Sequence, residues 1–169
     1  MMIRMTGAVL LVAGCGSFGF LIGLHYRREI RMLRYLLAAL QEMEWELKYR
    51  LTPLPELCGI AASASGGKLQ ELFRNLRKDL ETGCCAEVSG CMNGLLQTGD
   101  IPSKTAICLK ELGRSLGRYD LEGQLQGMQE VRLHCRKNLE ELESHRAERL
   151  RSYQTLGLCA GTALVILFL

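Results

Sequence analysis

Three neighbouring cysteines, Cys84, Cys85 and Cys91, form the one cluster of nucleophilic or metal-binding side chains among eight cysteines. Joined by His134 or Cys135, they would supply four ligands for a zinc ion. Structural zinc sites, however, usually show two pairs of ligands, each pair two to four residues apart. A thiol- or metal-dependent membrane enzyme built on this cluster is therefore an alternative, and reduced thiols packed as small apolar side chains are the default expectation.

The sequence offers few residues from which another kind of catalytic site could be built. The three histidines, His25, His134 and His145, lie at a membrane boundary or on a strongly charged helix, where solvated or interfacial roles are more common than that of a general base. The stretch 65–68, Ser-Gly-Gly-Lys, lacks the second glycine and the spacing of a phosphate-binding loop. We expect a protein that is not an enzyme and that binds no cofactor.

Composition excludes a nucleic-acid binder. The net charge is +3 with a sequence pI near 8.4, and only 6% of residues are aromatic. Neither a concentrated basic face nor a stacking platform can be built from such a chain. A length of 169 residues leaves room for one domain.

Uncharged apolar runs occupy both ends of the chain. The first, 5–24, would form a helix of about 30 Å, which matches the hydrocarbon core of a bilayer, and the second, 152–169, one of about 27 Å. We predict transmembrane helices over 5–25 and 152–169 and a helical domain over 27–151. Each span has a glycine pair one turn apart, which would favour packing of the two spans together or against other membrane subunits: Gly19 with Gly23, and Gly157 with Gly161.

Arginines set the predicted orientation. They concentrate where each apolar run meets the middle of the chain, and by the positive-inside rule they place the central domain in the cytoplasm: Arg27, Arg28, Arg31, Arg34, Arg146, Arg149 and Arg151. A rival interpretation is lipoprotein cleavage before Cys15, at Val-Ala-Gly-Cys, which would put the domain outside the cytoplasm as an extracytoplasmic binding module. The chain stays apolar up to Leu24, which favours the transmembrane interpretation.

Helical periodicity dominates the central region, and no segment alternates with the period of a strand. We predict an all-α fold, a compact bundle of about six helices, since the connections are short. The expected helices, the first continuing from the first span and the last running on into the second span, are 30–50, a short helix ending near 64, 68–81, 84–96, 104–116 and 121–152. The apolar face expected on the first consists of Ile30, Leu33, Leu37, Leu40, Met43 and Leu47. Ser103 is expected to cap the fifth.

Two sequence motifs are more specific than the general pattern of an amphipathic helix. One is 46–56, Glu-Leu-Lys-Tyr-Arg-Leu-Thr-Pro-Leu-Pro-Glu, and the other is 112–120, Leu-Gly-Arg-Ser-Leu-Gly-Arg-Tyr-Asp, followed by Gln124. With a span at each end, the chain resembles the stage III sporulation protein AB family of endospore-forming bacteria over essentially its whole length. That family is similar to the cytoplasmic domain of the type II secretion F protein, an inner-membrane platform subunit.

The resemblance implies a function. The protein would lie in the mother-cell membrane around the forespore, as a platform or adaptor subunit of the channel complex required for endospore formation. Its partners would be the cytoplasmic secretion-type ATPase of that channel, other membrane subunits and the lipid bilayer, with several copies as one way to complete a platform.

The motif residues have either an interface role or a fold role. Thr52 is expected to cap the second helix, with Pro53 and Pro55 in its first turn and Glu56 near its positive end. In the second motif, Gly113 and Gly117 would allow close helix packing, and Asp120 would cap the last helix. Gln124 has no assigned role in the fold.

Overall fold

The computed structural model describes the backbone over 2–84, 87–117 and 120–168, and the side chains over 26–84, 87–117 and 120–144. Six helices and no strand occupy the described backbone, which confirms the predicted all-α fold and the number of helices. They are α1 (Met2–Arg50), α2 (Leu54–Ala64), α3 (Lys68–Glu81), α4 (Val88–Thr98), α5 (Ser103–Ser115) and α6 (Leu121–Phe168).

The chain divides into two compact units. One comprises Met1–Arg28 with Glu141–Leu169, and the other is Glu29–Glu140, which contains the helical bundle. The predicted spans and their glycines, Gly19, Gly23, Gly157 and Gly161, lie outside the described side chains and stay predictions. Within the residues whose side chains the structure describes, no helix is long and apolar enough to cross a membrane.

Apolar side chains at helical spacing build the core of the bundle. On α1 the predicted face is buried except for Leu37, which is half-buried because the buried stripe runs through Leu36 instead. Burial of a leucine or phenylalanine side chain stabilises a fold by about 1.5–3 kcal/mol. The largest fully buried side chains come from all six helices: Leu33, Leu36, Leu40, Met43, Leu57, Leu69, Phe73, Leu76, Met92, Leu109, Leu112 and Met128.

Local sequence signals predict the bounds of one helix but misplace the start of the next. Helix α3 spans Lys68–Glu81 as predicted, and Thr82 closes it by donating its hydroxyl to the Lys78 carbonyl at 2.9 Å. Helix α4, by contrast, begins at Val88 and not at Cys84, with Glu87 at its N-cap position. The expectation that the helix starts at the cysteines is therefore wrong.

Two predicted caps are also wrong. The Thr52 hydroxyl does not cap α2 but donates to Glu46 Oε2 at 3.1 Å, and Pro53 occupies the N-cap position. Pro55 and Glu56 lie in the first turn, as predicted. Ser103 is the first residue of α5 and not its cap, because a carboxylate from α1 takes that role: the Lys104 backbone N–H donates to Glu29 Oε1 at 2.9 Å.

Candidate functional site between the last two helices

The two sequence motifs meet in the bundle. Gly117, just after α5, has a φ of +74°, a left-handed conformation that glycine adopts without the steric cost of a side chain. A Cβ atom at Gly117 would lie 3.4 Å from Leu54 Cδ2 and 3.4 Å from Val88 Cγ2. Leu54 belongs to the first motif and Gly117 to the second, so the two motifs form one junction of α2, α4 and the end of α5.

The other residues of the second motif also position helices. A Cβ atom on Gly113 would lie 3.1 Å from Met92 Cβ, so its absence lets α5 approach α4 closely. Asp120 caps α6, since its Oδ1 accepts the Gly123 N–H at 3.1 Å. Gln124, which is half-buried, donates its backbone N–H to the Asp120 carbonyl at 2.9 Å. These contacts support the predicted fold role of Gly113 and Asp120.

Helices α5 and α6 approach each other closely at Gly127. A Cβ atom there would stand 2.5 Å from Ser115 Cβ, a separation that real Cβ atoms essentially never show. Ser115 is buried and donates its hydroxyl to the Leu112 carbonyl at 2.9 Å. Nothing in the local sequence distinguishes Gly127 from a glycine that a helix merely tolerates, so its role is visible only in the packed structure.

A cleft of about 620 Å³ lies beside this contact, between α5 and α6. Its lining includes Ser115 and Gly127, together with the ion pair of His134 and Glu111, whose Nδ1 and Oε2 atoms are 2.7 Å apart. The hydrogen bond to the Glu111 carboxylate raises the pKa of His134. The sequence pointed to a solvated histidine on a charged helix, but not to its partner on α5.

Two buried thiols lie in the core between these helices. Cys108 on α5 and Cys135 on α6 are both fully buried free cysteines. Asn138 Nδ2 of α6 donates a hydrogen bond to the Cys108 sulfur at 3.6 Å. The Cys135 thiol is the main cause that lowers the pKa of Cys108, whereas the Cys108 thiol and burial raise the pKa of Cys135.

The predicted zinc cluster is only partly described. Cys84 is an exposed free thiol that accepts a hydrogen bond from Thr82 Oγ1 at 3.2 Å, and Cys85 lies outside the described residues. Cys91 is disulfide-bonded, so the expectation of a reduced thiol is wrong there. Cys135, one proposed fourth ligand, is fully buried on α6, whereas Cys84 is exposed. Among the described side chains, no group of three potential ligands converges on a metal position. Cys15 lies outside the described side chains.

A second cleft, of about 580 Å³, lies between α1 and α6. Trp45 and Tyr49 line it with their rings 5.5 Å apart, opposite Leu125 of α6. Both aromatic side chains are exposed, Trp45 to 49% and Tyr49 to 64%. Large exposed aromatic side chains are enriched at protein interfaces, so this cleft is the stronger candidate for partner contact.

Glu44 adds a charged group to the cleft. Its Oε1 lies 3.3 Å from Arg132 Nε but, within the described part of the chain, has no hydrogen-bond partner. Burial raises the pKa of this carboxylate, and the Arg132 charge opposes that rise. This ion pair connects α1 to α6 beside the aromatic side chains.

Known proteins resemble this chain over its length. The sequence profile of the family described as stage III sporulation protein AB matches residues 4–169. A relative from Bacillus subtilis (strain 168), called stage III sporulation protein AB, is 26% identical over 171 residues that cover 99% of this chain and 100% of the relative. A solved structure titled stage III sporulation protein AB superimposes with a TM-score of 0.62 at 22% identity, covering 72% of this chain and 98% of that chain.

Proposed function

The chain belongs to the stage III sporulation protein AB family, and on that premise we propose that it is a non-enzymatic membrane platform of a sporulation channel. In this proposal the two apolar ends anchor it in the mother-cell membrane around the forespore. The helical bundle then faces the cytoplasm and couples a secretion-type ATPase to the other membrane subunits. The arginines that flank both apolar runs support this orientation.

The aromatic cleft between α1 and α6 is the observation that carries the proposed adaptor role. Trp45 and Tyr49 expose large, rigid rings, and cations flank them: Arg50 Cζ lies 5.4 Å from the Trp45 ring centre and Lys48 Nζ 5.4 Å from that of Tyr49. Tryptophan, tyrosine and arginine are the residues that most often dominate the binding energy of protein interfaces.

The cleft predicts a specific loss of partner binding. The double substitution Trp45→Ala and Tyr49→Ala is expected to weaken co-purification of the ATPase at least about 10-fold, since truncating central aromatic residues commonly costs 2 kcal/mol or more. Ile107→Ala is the matched control, because Ile107 is as exposed as Trp45 but lies on α5. Unchanged ATPase recovery with the double variant, at equal protein level, would show that this cleft is not the docking surface.

Orientation has its own test. In inverted membrane vesicles, added protease is expected to digest the central bundle, because its cytoplasmic face would point outward. The measurement is loss of an epitope placed in the exposed segment near Gly83, with a known periplasmic domain as the protected control. A protected bundle would contradict the platform proposal and favour the lipoprotein interpretation with Cys15 as the lipidated residue.

A further inference from the structure

Leu51, the residue that follows α1, is both strained and exposed. Its φ is +53°, a left-handed conformation in which a side chain crowds the backbone, and among the described residues it is the only one besides glycines with a positive φ. Its side chain is 66% exposed, so burial in the core does not offset the strain. Glycine is the usual residue in this conformation at the end of a helix. Because strained residues cluster at functional sites, Leu51 is a candidate for a role outside the fold.

One carboxylate holds the turn that contains Leu51. The Glu46 side chain is only 12% exposed, and its Oε1 atom accepts a hydrogen bond from Arg50 Nη1 at 3.4 Å. Its other oxygen, Oε2, accepts one from the Thr52 hydroxyl at 3.1 Å. Since the two donors lie directly before and directly after Leu51, Glu46 fixes the chain on both sides of the strained residue.

Leu51 lies close to the aromatic side chains at the end of α1. Consecutive Cα atoms are about 3.8 Å apart, which places the Cα of Leu51 within about 7.6 Å of that of Tyr49. Of the seven large apolar side chains that are exposed in the described part of the chain, three lie within 45–51: Trp45, Tyr49 and Leu51. The exposed apolar surface at this end of α1 therefore extends beyond the aromatic cleft itself.

We propose that Leu51 is an anchor for the docked ATPase, inserting into an apolar pocket edged by carboxylates on that partner. The identity of the partner rests on the proposed function. The carboxylates follow from the charge beside the anchor: Lys48 and Arg50 are both exposed, and within the described residues Lys48 forms no ion pair. Insertion removes the leucine side chain from water, which is the favourable contribution that the free protein lacks at this position.

The substitution Leu51→Gly separates binding from stability, because it removes the side chain and relieves the strain together. The full chain in detergent micelles is titrated with the purified ATPase by calorimetry, and its unfolding is followed in urea. We expect the Kd to rise at least about 10-fold, the change that corresponds to loss of a buried leucine side chain. The urea midpoint should stay equal or rise, because glycine adopts a positive φ freely. Leu133→Ala is the matched control, since Leu133 is 70% exposed but lies on α6, and it should bind as the parent does.

Two results would overturn the anchor role while the proposed function stands. One is a folded Leu51→Gly protein with the Kd of the parent, and the other is a lowered urea midpoint, which would assign the leucine side chain to the fold. In both cases the double substitution Trp45→Ala and Tyr49→Ala would still weaken binding. A parent chain that binds no ATPase would contradict the proposed function and the anchor together.

Two further variants test the turn and the charge. Glu46→Ala releases both sides of the turn, so it is expected to weaken binding several-fold in the parent and to have no effect in the Leu51→Gly background. Lys48→Glu should also weaken binding, and more at low salt than at high salt. Lys110→Glu, the same change at an exposed lysine of α5, is its control. Equal losses for Glu46→Ala in both backgrounds, or equal Kd values for the two lysine variants, would contradict the proposal.

Discussion

Replacing Gly127 by alanine is expected to destabilise the bundle by about 2 kcal/mol. The new Cβ atom would stand 2.5 Å from Ser115 Cβ, so α5 and α6 must separate, at a cost of about 3 kcal/mol for an overpacked core. The better helix propensity of alanine offsets about 1 kcal/mol of that cost. Urea unfolding of the full chain in detergent, followed by far-ultraviolet circular dichroism, measures the difference.

A matched control exists on α4. A Cβ atom on Gly94 would meet nothing within 4 Å, so Gly94→Ala is expected to stabilise the protein by up to about 1 kcal/mol through helix propensity alone. The double variant Gly127→Ala with Ser115→Gly removes the obstructing Cβ atom and should be less destabilised than the sum of its single changes by about 1 kcal/mol. Additive effects, or a Gly127→Ala variant as stable as Gly94→Ala, would contradict the close contact.

The Glu29 carboxylate is expected to contribute a similar free energy to the stability of the bundle. Glu29→Ala leaves the Lys104 N–H without its acceptor at the start of α5, where no side chain of α5 provides a cap. Loss of a buried, charge-assisted cap costs about 2 kcal/mol. The same urea unfolding measures it, and Glu29→Gln, which keeps an acceptor oxygen but loses the charge, should cost about half as much.

Glu42→Ala is the control for the two Glu29 substitutions, because Glu42 is an exposed glutamate that also lies on α1. Surface substitutions of this kind change stability by no more than about 0.5 kcal/mol. If Glu29→Ala were as mild as Glu42→Ala, the cap from α1 would contribute nothing to the fold.

Features that depend on neighbouring residues were predictable from the sequence. The α3 helix follows from its apolar spacing together with the turns on either side, and its bounds match at both ends. The cap of α6 follows from Asp120 three residues before Gly123, a contact within one turn of chain. Close packing beside Gly113 was also foreseeable, since glycine inside a helix is costly unless it serves packing.

Features that depend on distant residues were not predictable. The cap of α5 comes from Glu29, 75 residues before Lys104, while the nearby Ser103 offered a plausible local alternative. Between α5 and α6, Asn138 contacts Cys108 and His134 contacts Glu111, pairings that only the packed helices define. One local error has a different cause: apolar thiols at Cys84 and Cys85 extended the periodic pattern before α4, although the helix begins at Val88.

The position of Trp45 has a practical consequence. It is the single tryptophan in the chain, and it lies half-exposed in the aromatic cleft. Indole fluorescence depends on the polarity around the ring, so covering this side chain would move its emission to shorter wavelength. The protein therefore carries an intrinsic optical probe at the surface proposed for docking, and titration with a tryptophan-free partner would give occupancy without any label.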